Sequence, residues 1–209
     1  MLIELEDALT HLILAPAVGG SIVNWRVRAT GQPLLRHSDQ SALDTGLPGK
    51  LGCYPLAPWS NRIAEGGFDN PGGWLALAPN SALDPLPIHG SAWQQLWQVV
   101  SHAADEVVLA VECDTPFAYR AEQRFKLSNG ELRIELRVTH LAQEAAWHGL
   151  GLHPYLPRRP STRLQAKAAQ VWLSDASKLP TGLAPVPSEW DFQQLKDLPE
   201  GLVDNGFCQ

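Results

Sequence analysis

Apolar residues along this chain come in short runs separated by turn residues, and few stretches hold a helical period. The clearest run is RFKLSNGELRIELRVTH, residues 124–140. Beyond Asn129-Gly130, Leu132, Ile134, Leu136 and Val138 alternate with Arg133, Glu135, Arg137 and Thr139. Successive side chains of a strand point to opposite faces, and Asn-Gly supplies the left-handed residues of a tight turn. The pattern therefore predicts a hairpin with one buried and one wet face. Further strands are predicted over residues 11–15, 21–27, 74–77, 97–101, 107–112 and 170–173. Such spacing points to a sandwich of antiparallel sheets. Residues 175–206, rich in Pro, Asp and Gly, read as long loops.

The 17 prolines and 17 glycines are spread along the 209 residues, so no linker announces itself and a single domain over 1–209 is expected. A formal charge of −6 and a pI near 5.6 argue against a polyanionic partner, so nucleic acid is not expected. Cys53, Cys113 and Cys208 form no CxxC pair, which favours reduced thiols over a disulfide framework or a zinc site. The N-terminus, MLIELEDALT, is acidic where a secretory signal would be basic. The uncharged run 11–25 is broken by Pro16, Gly19 and Gly20. A soluble cytoplasmic protein without a membrane partner is expected.

Three stretches carry candidate chemistry. In HGLGLHPYLP, residues 148–157, Pro154 pushes His153 out of the helical region, which either presents the ring or buries it. In GCYPLAPWSNRIAEGGF, residues 52–68, Asn61 and Arg62 combine an amide with a fixed fork of donors, a set suited to hydroxyl groups. They could equally cap a turn and face solvent. In PIHGSAWQQLW, residues 87–97, His89 lies near Trp93 and Trp97, as in sites that hold a sugar against an indole face, although indoles four apart also suit a core. His89, His148 and His153 lack the short spacings of a preformed zinc site, and no GxSxG turn occurs.

Taken in order, NRI with G-x-F, then PIHG, then GLHPY, then VDNGF resemble the aldose 1-epimerase (galactose mutarotase) family over essentially the whole chain. The resemblance implies an all-β fold, a large antiparallel β-sandwich of the galactose mutarotase-like type. It also implies interconversion of the α and β anomers of a free aldohexose such as galactose or glucose, by acid and base alone and without a cofactor or metal. On that pattern His153 is the acid, His89 a second imidazole on the ring-oxygen side, and Asn61, Arg62 and Asp204 are substrate ligands. His148 matches no motif and is assigned to packing. The family's base is a glutamate in strands that follow the segment containing Asp204. Five residues follow Asp204 here, so a sandwich truncated at its C-terminus is expected, with bare sheet edges that a second copy of the chain could cover; an interrupted gene, a fragment and a natural short form stay open as origins. A sugar-binding module without turnover is one alternative. A hexose 6-phosphate substrate, met by Arg158 and Arg159, is another.

Overall fold

The computed structural model describes all 209 residues, and the chain folds as two compact units, Met1–Pro157 and Arg158–Gln209. In the first unit the strands are β1 (Ile3–Glu6), β2 (Thr10–Ala15), β3 (Ser21–Val27), β4 (Cys53–Leu56), β5 (Gly67–Asn70), β6 (Gly73–Ala76), β7 (Gln98–His102), β8 (Glu106–Cys113), β9 (Tyr119–Ser128), β10 (Glu131–His140) and β11 (Gly151–Pro154). One sheet runs β1-β2-β3-β4-β11 and another β10-β9-β8-β7, while β5 and β6 form a separate hairpin. The strands pair antiparallel throughout. One helical turn, Gln40–Asp44, follows β3.

The two larger sheets enclose the core. Leu5, Leu12, Leu14 and Ile22 from the first pack in one cluster with Val107, Leu109, Phe125 and Leu127 from the second, and Trp97 is fully buried among them. Gln123 is a buried polar residue in this setting, and its Nε2 donates to the Gly20 carbonyl at 3.0 Å, which removes the cost of an unsatisfied amide donor. Gly20 has φ +63°, and a Cβ there would lie 2.6 Å from Gln123 Nε2 and 2.9 Å from the Trp97 ring. Only glycine fits that approach.

The hairpin of β9 and β10 forms where the alternation places it, with Leu132 opposite Leu127 and both Asn129 (φ 53°) and Gly130 (φ 81°) left-handed. The apolar face of β10 is only half buried, because β10 is the edge strand of its sheet. Strand β4 carries no alternating pattern: all four of its residues are buried and Pro55 lies inside it. Trp97 stands just ahead of β7, its indole donating to the Ala92 carbonyl at 2.9 Å.

The second unit contains β12 (Arg163–Leu164), β13 (Gln170–Ser174), β14 (Pro180–Pro185), β15 (Lys196–Asp197) and β16 (Phe207–Cys208). β12 pairs with β15, and a three-stranded sheet runs β14-β13-β16. β14 and β15 lie within the span expected to be loops. Proline at both ends of β14 suits an edge strand. No helix is long and apolar enough to cross a membrane.

Asp7 ties the β1–β2 turn to the β9–β10 turn. Its carboxylate accepts the N–H groups of Leu9 (2.8 Å), Thr10 (2.6 Å) and Gly130 (2.7 Å). Burial alone would raise its pKa, but these bonds together hold it below the usual carboxylate value. The stability it contributes is therefore present above pH 4 or so and is lost as pH falls through the folded-state value. Asp7→Ala should cost about 1–2 kcal/mol in urea denaturation at pH 7, and the gap to wild type should narrow by pH 3. An equal gap at both pH values would show that the charged form contributes nothing.

Candidate active site

The pairing of β4 with β11 sets the first part of the site, placing His153 opposite Tyr54. His153 is extended, as Pro154 requires, and its ring stacks on Tyr54 with centroids 4.8 Å apart and planes 11° apart. Tyr155 also approaches His153, with ring centroids 4.8 Å apart. Burial, and then the neighbouring Tyr155 phenol, pushes the Tyr54 hydroxyl well up, so it stays a neutral phenol. Tyr155 is itself held by Arg36, whose guanidinium carbon lies 3.7 Å from its ring centre while one nitrogen donates to the carbonyls of Gly49 and Leu51.

Two loops bring in the second part. An antiparallel bridge between Arg62 and Ile88 and a parallel one between Ala57 and Gly90 lay the loops side by side. Between these bridges Asn61 and His89 both have left-handed backbones, at φ 60° and 63°. They bond reciprocally. The Asn61 N–H donates to His89 Nδ1 at 3.2 Å, and the His89 N–H donates to the Asn61 carbonyl at 3.0 Å. Gly90 follows at φ 72°, and a Cβ on it would lie 1.9 Å from the Ala57 carbonyl oxygen, so this loop requires glycine there.

Because His89 Nδ1 accepts a hydrogen bond, the hydrogen-bond pattern assigns the proton of the neutral ring to Nε2. Burial, followed by repulsion from His153 and Arg62, lowers its pKa to about 4, against a smaller opposing effect of Asp84. At neutral pH His89 is thus an uncharged ring with one N–H donor. Its ring meets that of His153 edge-on at 5.5 Å.

Arg62 is aimed by Asp84. Its Nε donates to Asp84 Oδ2 at 2.8 Å, and the other carboxylate oxygen accepts the Leu86 N–H at 3.0 Å. A second guanidinium nitrogen reaches Asn61 Oδ1 at 3.4 Å. His89, Arg62, Asp84, Tyr54, Trp93 and Tyr155 share a cleft of about 690 Å³. Trp93 and Trp97 divide the two roles left open for them. Trp97 is core, while Trp93 donates to the Gly90 carbonyl at 2.9 Å and turns its ring to the cleft beside Tyr54.

Four of the five expected site residues, Asn61, Arg62, His89 and His153, thus come together. Asp204 belongs to the second unit, where its carboxylate lies 3.8 Å from Lys178 Nζ. Arg158 and Arg159 also belong to the second unit, Arg158 donating to the Pro199 carbonyl at 3.2 Å. His148, an exposed residue, has its ring centre 4.9 Å from that of Phe117 and bonds His140 at 3.1 Å. No three His, Cys, Asp or Glu side chains form a group that could hold a metal ion. Sequence reasoning missed Tyr54, Asp84 and Asn80, which acquire their positions only through pairing across the fold.

The depressed pKa of His89 makes the folded state less stable in mild acid, since the unfolded chain takes up a proton near pH 6.5 that the folded ring refuses until about 4. Imidazole nitrogen NMR should show His89 as the Nε2–H tautomer, still neutral at pH 5.5. A His89 signal titrating near 6.5 would contradict this account of its surroundings.

A family model described as aldose 1-epimerase matches residues 1–209. The chain is 37% identical over 178 residues to the uncharacterized protein YphB of Escherichia coli strain K12, covering 84% of this chain and 60% of that protein. To YihR of the same strain it is 29% identical over 163 residues, covering 73% and 53%. The chain thus spans less than two thirds of the length of these relatives. A crystal structure of a candidate aldose 1-epimerase from Escherichia coli K12 superimposes with a TM-score of 0.91 at 34% identity, covering 99% of this chain and 69% of that one. A GalM/aldose epimerase homologue from C. elegans matches with a TM-score of 0.79 at 20% identity, covering 95% and 65%, a likeness of fold. The fold is mostly β and galactose mutarotase-like, and the chain belongs to the aldose 1-epimerase family.

Proposed function

We propose that this chain carries the imidazole half of a mutarotase site, which interconverts the α and β anomers of a free aldohexose such as galactose or glucose. The observation that carries the reading is the meeting of His89 and His153, 5.5 Å apart, beside a cleft lined by aromatic rings and by polar side chains. Trp93 offers a face for the C–H groups of a pyranose, and Arg62 offers donors for its hydroxyls.

In the reaction a base removes the proton of the C1 hydroxyl, the bond between C1 and the ring oxygen breaks as the C1 carbonyl forms, and the ring oxygen takes a proton. Rotation about C1–C2 and reversal of the steps give the other anomer. We assign the proton donated to the ring oxygen to His153. His89, neutral and with its proton fixed on Nε2, supplies a hydrogen bond to that side of the sugar without changing charge. Asn61 and Arg62 bind hydroxyls, and Asp204 does so on the family pattern. By that pattern the base is a glutamate that follows Asp204; residues 205–209 contain none, so the acceptor of the C1 proton lies outside the residues named here. A cytoplasmic location suits the unpaired Cys53 and Cys113 thiols.

A second reading, sugar binding without turnover, draws on Asp84. This carboxylate lines the cleft, but Arg62 and the Leu86 N–H occupy its oxygens, so it is ill placed to act as a base. Exchange NMR of glucose and galactose anomers separates the readings. Exchange above the spontaneous rate is expected, with a loss of roughly 10²-fold or more in His153→Ala. Sugar binding with exchange at the spontaneous rate would support the second reading, and neither binding nor exchange would remove both.

A further inference from the structure

His89 sits in a backbone conformation that a histidine seldom adopts, and one side chain grips the chain on both sides of it. Asn80 Oδ1 accepts the Ile88 N–H at 2.8 Å, and Asn80 Nδ2 donates to the Ile88 carbonyl at 2.8 Å and to the Gly90 carbonyl at 2.7 Å. These three bonds use one acceptor and both donors of a primary amide, a combination that a carboxylate lacks. Asn80 is in turn fixed from outside, since Gln94 Nε2 donates to its carbonyl at 2.6 Å. The indole of Trp93 adds a second donor on the Gly90 carbonyl.

A non-glycine residue at φ 63° carries a cost, and such conformations persist where the surroundings over-determine them. Asn80 supplies much of that determination. It fixes the residue before His89 through both of its backbone groups and the residue after through its carbonyl, and it leaves the imidazole untouched. The ring is then carried to the one place where the Asn61 N–H meets Nδ1 and Nε2–H is left for the cleft.

We propose that Asn80 is the positioning residue for His89, holding the left-handed turn that selects the ring's Nε2–H tautomer and points that donor at the sugar. Its kinetic consequence rests on the mutarotase reading above. Its structural consequence does not.

The test uses Asn80→Ala, which removes all three bonds, and Asn80→Asp, which keeps the acceptor for Ile88 but sets a carboxylate against two carbonyl oxygens. Circular dichroism first confirms that each variant folds. Should Asn80→Ala not fold, Asn80→Ser, with a single hydroxyl, takes its place. The decisive readout is nitrogen NMR of the His89 ring, which a general loss of stability would leave unchanged in the folded protein. His153, Arg62 and Asp84 face His89 in every variant, so a change in its tautomer or titration reports its placement. The uncharged variant excludes the added charge of Asp as the cause.

Expected are mixed Nδ1–H and Nε2–H tautomers in the variants and a midpoint shifted up toward 6.5. A fall in kcat of roughly 10- to 100-fold, with KM changed far less, should accompany them. A wild-type tautomer and titration in folded Asn80→Ala or its serine substitute would overturn the proposal. So would shifted His89 signals with undiminished kcat, because the placement would then be irrelevant to turnover. If wild-type protein shows no anomer exchange, the mutarotase reading fails, and the His89 spectra alone decide the assignment of Asn80.

Discussion

Two residues with positive φ, Asn61 and His89, hold each other in place, and the cleft has its chemistry only while they do. Each backbone is strained, at a cost of about 1–3 kcal/mol. The exchange of two hydrogen bonds, N–H to Nδ1 one way and N–H to carbonyl the other, satisfies donors that a half-buried loop could not leave unmet. The first of these bonds decides which nitrogen of His89 carries a proton. A constraint on main-chain shape is thereby converted into a constraint on side-chain chemistry. The bridges of Ala57 to Gly90 and of Arg62 to Ile88 supply the leverage, because they fix both loops to β4 and to each other.

The sandwich explains why this pair can be held so tightly. β4 is buried along its whole length, so the loop that leaves it at Ala57 starts from packed core. His153 arises from the strand paired with β4, so both imidazoles are referenced to one piece of backbone. Interiors packed like crystals transmit position with little slack, which suits groups that must meet a substrate within a fraction of an ångström. Tyr54 is the physical junction, touching His153, His89, Trp93 and Tyr155.

How much of this could be read from the residues depended on the range of the interaction. The β9–β10 hairpin was legible because alternation and an Asn-Gly turn are local signals. His153 was legible as an extended residue because Pro154 acts on its immediate neighbour. β4 was hidden because a strand buried on both faces shows no alternation, and Pro55 argues against one. Trp93 and Trp97 have nothing in their spacing to tell a cleft wall from a core. Asp84 and Asn80 carry no local mark either, since their partners lie on chain that returns from a turn. The boundary after Pro157 is silent in a chain where proline and glycine are everywhere. The ion pair of Asp204 with Lys178 depends on strands too short to have a pattern.

The two imidazoles are not equivalent, and their difference is electrostatic. With rings 5.5 Å apart, two positive charges would repel by roughly 3 kcal/mol at an effective dielectric constant near 20. The pair therefore resists carrying two positive charges at once. Burial, with Arg62 beside it, decides that His89 is a ring that stays neutral. Asp84 opposes this only weakly, because its carboxylate is already committed to Arg62 and the Leu86 N–H. A neutral donor next to a second imidazole can hold a ring oxygen in both directions of an anomeric exchange, since its own charge need not change as the ring opens and closes. Arg62 is thus the fixed positive charge that helps keep His89 uncharged, beside the hydroxyl-binding role proposed for it.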